Sequence, residues 1–437
     1  MSQVTLACSV CNQQAKDKLH IPWPLDFLTL DQLVYIPSAL KSNQHKAIPL
    51  CQTCADKLRR GQSFIKSYLD FRIAGSNLSF WLLPTVPQIE GSIPYMRDLA
   101  GDHKPLYITG LRELCEGIES LSEDLVGSTD ESKQNKVEAL LTFNSLFYYR
   151  DTQGHMRLLS SRDGIYPARL RQIMNSVHNV NRRYPYFKLS PKIRFTFTLL
   201  KEFFVKNKSS AQVELAEIIG AIFKGESVNP SYLHSCLFQR VSEAGPNRKK
   251  GKEKIKDSAG DLYPFMEITL KAFIALEFFA EIGLYNLVET NESSVKSSFT
   301  PDDTKVKELN GFLSNHPSIK NNSQLGSIFF IGVAVGILLE TQKARFNKYP
   351  YWRHLNRLSL TPERLKSFYP DVMDKLHMYG EEYLSKFGSV LSYIGANIDP
   401  EFDKLGTIEP ELRNLTFAIG LSEGYLLYHS DKEEDAR

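Results

Sequence analysis

Several kinds of protein are excluded by what this sequence does not contain. There is no GxxxxGK[ST] loop to cradle nucleotide phosphates, no HExxH pair for a catalytic zinc, and no GxSxG elbow for a nucleophilic serine. Ten histidines are scattered along the chain, and His429, near Asp431, stands at the acidic tail DKEEDAR. Acid pairs such as Glu381-Glu382 are adjacent, so on a helix they diverge and suit a solvated face. The expectation is a protein that is not an enzyme. Nor is there a long apolar run. The most apolar window, LGSIFFIGVAVGILL, has 15 residues and ends at Glu340, whereas a bilayer crossing needs about 20. Gly332 and Gly336 form a GxxxG, a helix-pairing motif in membranes, but an all-round apolar helix is also what the centre of a soluble bundle requires. We adopt the second reading and expect no membrane partner. The opening MSQVTLACSV shows no basic start followed by an apolar stretch, so a reducing cytoplasm is the expected compartment.

What is present is ordinary in bulk and uneven in detail. The 437 residues are 42% hydrophobic and 24% charged, enough for two or three domains with real cores. The net charge of +3 is not spread evenly. From Asp302 to the end there are 16 Lys+Arg against 19 Asp+Glu, whereas Arg150 to Lys201 alone holds 11 basic residues and 2 acids. A local positive field points to an anionic partner.

Four of the six cysteines stand at the start as Cys8-x2-Cys11 and Cys51-x2-Cys54. Two such knuckles offer four thiolates, the donor set of a closed tetrahedral zinc site with no open position for water. Two disulfides are the alternative, disfavoured by a reducing compartment. The expected cofactor is structural Zn2+. Cys115 and Cys236 stand alone and read as small core residues.

The expected fold is mainly α, with an α+β N-terminal and middle region. It divides into a zinc-binding lobe at 1–70, a nucleic-acid-binding middle domain at 71–295 and a helical bundle at 302–430. ADKLRRGQSFIKSYLDF, after Cys54, reads as a helix and NLSFWLLPTV as a strand. LLTFNSLFYYRD and HMRLLSSR flank Gln153-Gly154 as a β-hairpin. ARLRQIMNSVHNVNRRY reads as a helix. So do the segments from Ile193 to Phe223 and PFMEITLKAFIALEFFAEIGLY. GPNRKKGKEKIKDSAG is a basic loop, and ETNESSVKSSFTPDDT is the best domain boundary. Beyond it, helices are expected from Asp302 to Asn315, from Gln324 to Phe346, after Pro370 and after a Thr407 cap.

Two basic clusters are candidate nucleic-acid sites. In the first, Arg169 and Arg171 are expected to hold phosphates, while Asn179, Asn181, Arg182 and Arg183 are candidates to read base edges or narrow grooves. The second is QKARFNKYPYWRHLNR. Its Lys343, Arg345, Arg353 and Arg357 are interleaved with Tyr349, Tyr351 and Trp352, the combination that holds single strands without sequence preference. Both have a plainer alternative, a solvated basic face and rings packed into a bundle.

FYYRDTQGHMRLLSSRDGIYPARLRQI resembles a hairpin, an I-x-P-x-R-L turn and a basic stretch in the large subunit of type I-B CRISPR Cascade effector complexes. FFIGVAVGILLETQKARFNKYPYWRHLNRLSLTPERLKSFYPDVMDKLHMYG is similar to that family's later pattern, and the four-cysteine site also looks like theirs. The resemblance implies a non-catalytic, DNA- and RNA-binding subunit of an antiviral surveillance complex. Its partners would be a CRISPR guide RNA, target double-stranded DNA and the Cascade backbone subunits, with a nuclease-helicase or transposition proteins downstream. It implies recognition of the target-adjacent motif, support of unwound strands, and a C-terminal bundle like the Cascade small subunit. The alternatives are a zinc-dependent nucleic-acid-processing enzyme and a free-standing zinc DNA-binding regulator.

Overall fold

Successive side chains of a strand point to opposite faces, and in LSFWLLPT and TFNSLFYYR both faces carry apolar residues that find a covering helix. The computed structural model describes residues 7–13, 49–73, 76–85, 142–150, 156–183, 193–204, 211–245, 262–285, 303–398 and 407–429. Its strands are β1 (Asp70–Arg72), β2 (Leu78–Thr85), β3 (Thr142–Arg150) and β4 (Met156–Ile165), joined antiparallel in the order β1-β2-β3-β4. Its helices are α1 (Gln52–Tyr68), α2 (Pro167–Arg183), α3 (Phe197–Phe204), α4 (Ala211–Lys224), α5 (Pro230–Ala244), α6 (Leu262–Glu281), α7 (Thr304–Asn315), α8 (Pro317–Lys320), α9 (Ser323–Phe346), α10 (Pro362–Tyr379), α11 (Glu381–Asn397) and α12 (Pro410–His429). A 3-10 helix covers Pro350–Leu358.

The chain groups into two compact units. One contains the cysteine segments, α1, the sheet, the start of α2, and α4; the other contains α2 from Asn175, then α3 and everything from Gly225 on. The first lobe joins the sheet because α1 runs straight into β1, whose Phe71 pairs with Phe80 of β2. The later helices join the C-terminal bundle because α12 packs on both α5 and α6.

In the first unit the expected hairpin is the β3–β4 pair, with Phe147 opposite Ser160; its Gln153-Gly154 turn lies outside the described residues. One face of the sheet sets Phe80 and Phe147 against Phe223 of α4, at centroid distances of 5.2 and 6.1 Å. The other face stacks Trp81 edge-on to Tyr148, with Met156 and Ile65 of α1 completing the layer. The Tyr148 hydroxyl donates to both carboxylate oxygens of Asp70, at 2.6 and 2.7 Å. Burial pushes the Asp70 carboxyl above its ordinary range, although this hydrogen bond works against the shift.

The second unit is built around α9. The helix has 24 residues and is apolar enough to cross a bilayer by length and composition, yet 94% of its most apolar window is buried within the fold. Asn322 caps its start by accepting from the N–H groups of Gln324 and Leu325, and Asn347 ends it in the left-handed conformation at φ 52°. Its partner is α12. A Cβ added to Gly332 or Gly336 would come within 2.3 or 2.2 Å of the Phe417 or Leu421 carbonyl oxygen. One added to Gly420 or Gly424 would come within 2.0 or 2.1 Å of the Phe329 or Val333 oxygen. Two GxxxG motifs therefore face each other, and backbone meets backbone with no side chain between.

Several expected elements are corrected. The helix placed after Pro370 begins at Pro362, where the Thr361 hydroxyl caps it by accepting from Arg364 N, and Pro370 lies inside at the loss of one N–H donor. The same stretch is two helices, because Gly380, at φ 125°, breaks it into α10 and α11. Thr407 does not cap α12, which opens at Pro410. PSYLHSCLFQRVSEA, to which the sequence reading assigns no element, forms α5 on an Asn229 cap with Pro230 at the first helical position. Most of the basic loop and of the Ser/Thr-rich boundary lies outside the described residues.

A leucine at Gly336 would force the α9 and α12 backbones apart, at a cost on the order of 3 kcal/mol. We expect Gly336→Leu to lower the thermal midpoint by about 6–12 °C, and Gly388→Ala, at a helical position with open space around it, to leave it unchanged or slightly raised. Calorimetry of the two variants checks this.

A second prediction concerns Glu423, whose Oε1 is buried without a hydrogen-bond partner among the described residues. Burial, and then the nearby Glu308 charge, push its carboxyl from 4.5 up to about 8. The folded chain thus keeps a proton that the unfolded chain releases near pH 4.5, so stability is greatest below that and declines as pH rises toward about 8. Glu423→Gln is expected to match the parent near pH 4.5 and to exceed its stability by at least about 1 kcal/mol at pH 8, read from denaturant midpoints.

Candidate metal centre and nucleic-acid interface

The four N-terminal cysteines converge. In the first knuckle Asn12 takes the left-handed conformation at φ 57°, and its N–H returns to the Cys8 carbonyl at 2.8 Å, turning the chain so that Cys8 and Cys11 face the same way. Ser9 N donates to Pro49 O at 2.8 Å and ties this turn to the second knuckle. There Cys51 is the N-cap of α1, and Cys54 follows one turn on, its N–H donating to Cys51 Sγ at 3.4 Å. All four Sγ atoms lie within 4.8 Å of one another, and Cys11 and Cys51 approach to 3.8 Å. Cys8 and Cys54 are buried against Leu50, Ala55 and Leu58, whereas Cys11 is exposed and Cys51 intermediate.

The electrostatics match a cation site. Burial opposes a Cys8 thiolate, but backbone N–H groups of Cys11, Cys51 and Val10 outweigh it and bring the thiol down to about 6. Cys54 goes the other way, to about 12, first through its contact with Cys51, then through burial and the remaining thiols. Four sulfurs this close resist full ionisation by themselves, and a bound metal ion would remove that conflict. All four could hold one.

The first basic cluster sits on α2, and the structure gives most of its members partners inside the protein. Arg169 is half-buried; its Nε donates to the Ile222 carbonyl near the end of α4 at 2.9 Å and its Nη1 to Gln172 at 2.7 Å. Asn181 clamps the backbone of Phe195, accepting from its N–H at 2.6 Å and donating to its carbonyl at 3.3 Å. Its amide is therefore engaged by the fold through one donor and one acceptor. Glu281, at the end of α6, takes both Asn179 (3.0 Å) and Arg183 (2.8 Å). Two groups offered for DNA are thus joined to one carboxylate. What faces outward is Asn175, His178, Asn179 and Arg182, a polar stripe at helical spacing, with Arg171 half-exposed one turn earlier. Arg182 makes no ion pair among the described residues.

The second cluster splits by depth. Tyr349, Tyr351 and Trp352 are 3%, 2% and 6% exposed, so the rings expected to stack on a strand are packed inside instead. Tyr349 shares a hydrogen bond with Tyr425 at 2.9 Å, and Trp352 meets Phe265 edge-on at 4.9 Å. The 3-10 helix is amphipathic, which turns its rings inward and Arg353 and His354 outward. Lys343 donates to Asn347 at 2.5 Å, and Arg345 donates to the Tyr379 carbonyl while lying over the rings of Phe346 and Tyr379 at 5.4 and 5.3 Å. The Arg357 side chain lies outside the described residues. The sequence reading missed that Phe346 and Met378 are the exposed apolar groups of this end of the bundle. The signal available was position alone, since Phe346 precedes the Asn347 helix stop and Met378 precedes the Tyr379-Gly380 break.

Comparison with known families fits this arrangement. A family model for the central domain of the CRISPR-associated protein TM1802 matches residues 5–164, and one for that family's C-terminal domain matches residues 195–394. The chain belongs to the CRISPR-associated TM1802 family. None of the curated proteins matches it. In this TM1802-family protein the central-domain match spans the cysteine centre and the sheet, the C-terminal match runs from just before α3 into α11, and α2 falls between the two.

Elemental analysis is expected to find one metal ion per chain, and Cys8→Ser to lose it. Because Cys8 and Cys54 carry the small core under α1, that variant should also become susceptible to protease near α1 before the bundle is cut. A metal-free variant as protease-resistant as the parent would refute the assignment.

Proposed function

We propose that this TM1802-family protein is the large, non-catalytic subunit of a type I-B CRISPR surveillance complex. It associates with a guide RNA and backbone subunits, helps recognise the target-adjacent motif in duplex DNA, and holds the unwound strands. The observation that carries this reading is the ordered match to a CRISPR-associated family's central and C-terminal domains over most of the chain. Local physics supports it. The outward stripe of α2 combines Arg182 with amides and an imidazole, which suits phosphate and base edges, and it lies in the Arg150–Lys201 stretch with its 11 basic residues and 2 acids. The cations at the end of α9 and on the 3-10 helix suit a strand backbone. Duplex capture by such groups releases counterions and is steeply salt-dependent.

The metal in this reading is structural zinc. A tetrahedron of sulfurs about 2.3 Å from zinc has edges of about 3.8 Å, and the Cys11–Cys51 separation is 3.8 Å. An all-thiolate shell leaves no position for water, so zinc would brace the lobe rather than act on substrate. A nuclease-helicase or transposition proteins would act downstream of target capture.

The test is the assembled complex with guide RNA. Arg171→Ala with Arg182→Ala is expected to weaken binding of matched target DNA and to lower the slope of log affinity against log salt by about 1.8 in magnitude, two phosphate contacts' worth. Arg183→Ala is not offered for this purpose, because it also unpairs Glu281. Unaltered affinity and slope would remove the α2 stripe from the interface. Cleavage of DNA by the isolated chain with divalent ions would overturn the non-catalytic assignment.

A further inference from the structure

The cysteine centre is lopsided. Cys8 and Cys54 are the buried pair, packed under Leu50, Ala55 and Leu58, whereas the cross-knuckle pair Cys11 and Cys51 is exposed and half-exposed respectively. Their sulfurs are 3.8 Å apart, and 40 positions separate them in the chain. A disulfide needs sulfurs about 2.05 Å apart, so a modest approach of two side chains would join the knuckles. The buried pair is shielded from any oxidant in solution.

We propose that the four-cysteine centre is a reversible thiol switch, in which a hydroperoxide oxidises Cys11 and Cys51 to a cross-knuckle disulfide and the metal is given up. The inference rests on the zinc reading above and goes beyond it. The chemistry balances. The Cys11 thiolate attacks one peroxide oxygen, the O–O bond breaks, hydroxide leaves and Cys11 becomes a sulfenic acid. The Cys51 thiolate then attacks that sulfur, forming the S–S bond and expelling a second hydroxide. Two electrons pass from the thiolates to the peroxide. Cys8 and Cys54 alone cannot complete a four-sulfur shell, so the ion leaves. A dithiol reductant reverses the disulfide by exchange, after which zinc can return. Exposure selects the reactive members of such a set, which is why Cys11 and Cys51 react and the buried pair does not.

The consequence is specific to this lobe. The metal and the small core around it hold the start of α1, and α1 covers one face of the sheet through Ile65. Oxidation would exchange a four-point anchor for a single cross-link between the same two turns. The lobe would stay tethered but lose its packing around the ion.

The test uses the full-length chain, purified with its metal and treated with hydrogen peroxide. Zinc release is followed with a chromogenic chelator, and disulfides are mapped by mass spectrometry after alkylation. The expected result is one zinc released as one Cys11–Cys51 disulfide forms, with a dithiol and zinc restoring both. Cys11→His keeps a ligand atom and removes the exposed thiol; once its metal content is verified, peroxide-driven release should slow at least about tenfold. A first disulfide at Cys8–Cys11 or Cys8–Cys54, or unchanged release in Cys11→His, would overturn the proposal. If elemental analysis of untreated protein finds no zinc, the metal reading fails separately. The disulfide map of the metal-free chain then still decides the pairing: Cys11–Cys51 first supports it, and any other first link refutes it.

Discussion

Four glycines set the distance between two helices, and the second unit is arranged around that distance. Gly332 and Gly336 of α9 meet the backbone of α12, and Gly420 and Gly424 of α12 meet the backbone of α9. Glycine inside a helix is unfavourable by about 1 kcal/mol relative to alanine, so four of them carry a cost that only close packing can offset. The offset is the burial of α9, whose residues from Leu325 to Gln342 are all removed from water. Helices α10 and α11 then lie on α9, and α5 and α6 lie on α12. A wider spacing at the centre would loosen every one of those layers.

The same interior holds polar groups that serve the fold. His234 is bound on both ring nitrogens, by Glu409 at 2.5 Å and by the Tyr285 hydroxyl, and so links α5 to the chain after α6 and to the approach to α12. His316 lies 3.1 Å from Glu277 and against the rings of Phe273 and Phe312. Gln342 donates to the Tyr379 hydroxyl at 2.8 Å and accepts from Tyr351 N at 2.9 Å, which fixes the 3-10 helix against α9. The His234 and Gln342 hydrogen bonds are directional ties in a core that hydrophobic packing alone would leave free to slide.

How much of this could be read from the sequence depends on how local each feature is. The C-x2-C knuckles were legible because two residues of turn suffice to aim two sulfurs, and the pairing of the knuckles follows from donor chemistry. The β3–β4 hairpin was legible from apolar and aromatic runs on both sides of a turn, and the long helix from its all-round apolar composition. The fates of Asn181 and Arg183 were not, since their partners are Phe195 and, about a hundred positions away, Glu281. A basic run looks the same whether its charges face water or close onto a distant acid. The inward turn of Tyr351 and Trp352 was likewise hidden, because a 3-10 helix has neither of the two periods that pattern reading tests. Pro370 misled for a related reason: a proline was read as a boundary, while Thr361 had already capped the helix two turns earlier.

That buried aromatic trio has an effect on whatever meets the opposite side of its helix. With Tyr349 seated just before it and Tyr351, Trp352, Leu355 and Leu358 seated along it, the backbone from Pro350 to Leu358 is fastened from below. Arg353 and His354 therefore stand on a pedestal rather than on a loose strap. Any group that met Arg353 from outside would find little backbone disorder left to freeze out at the moment of contact.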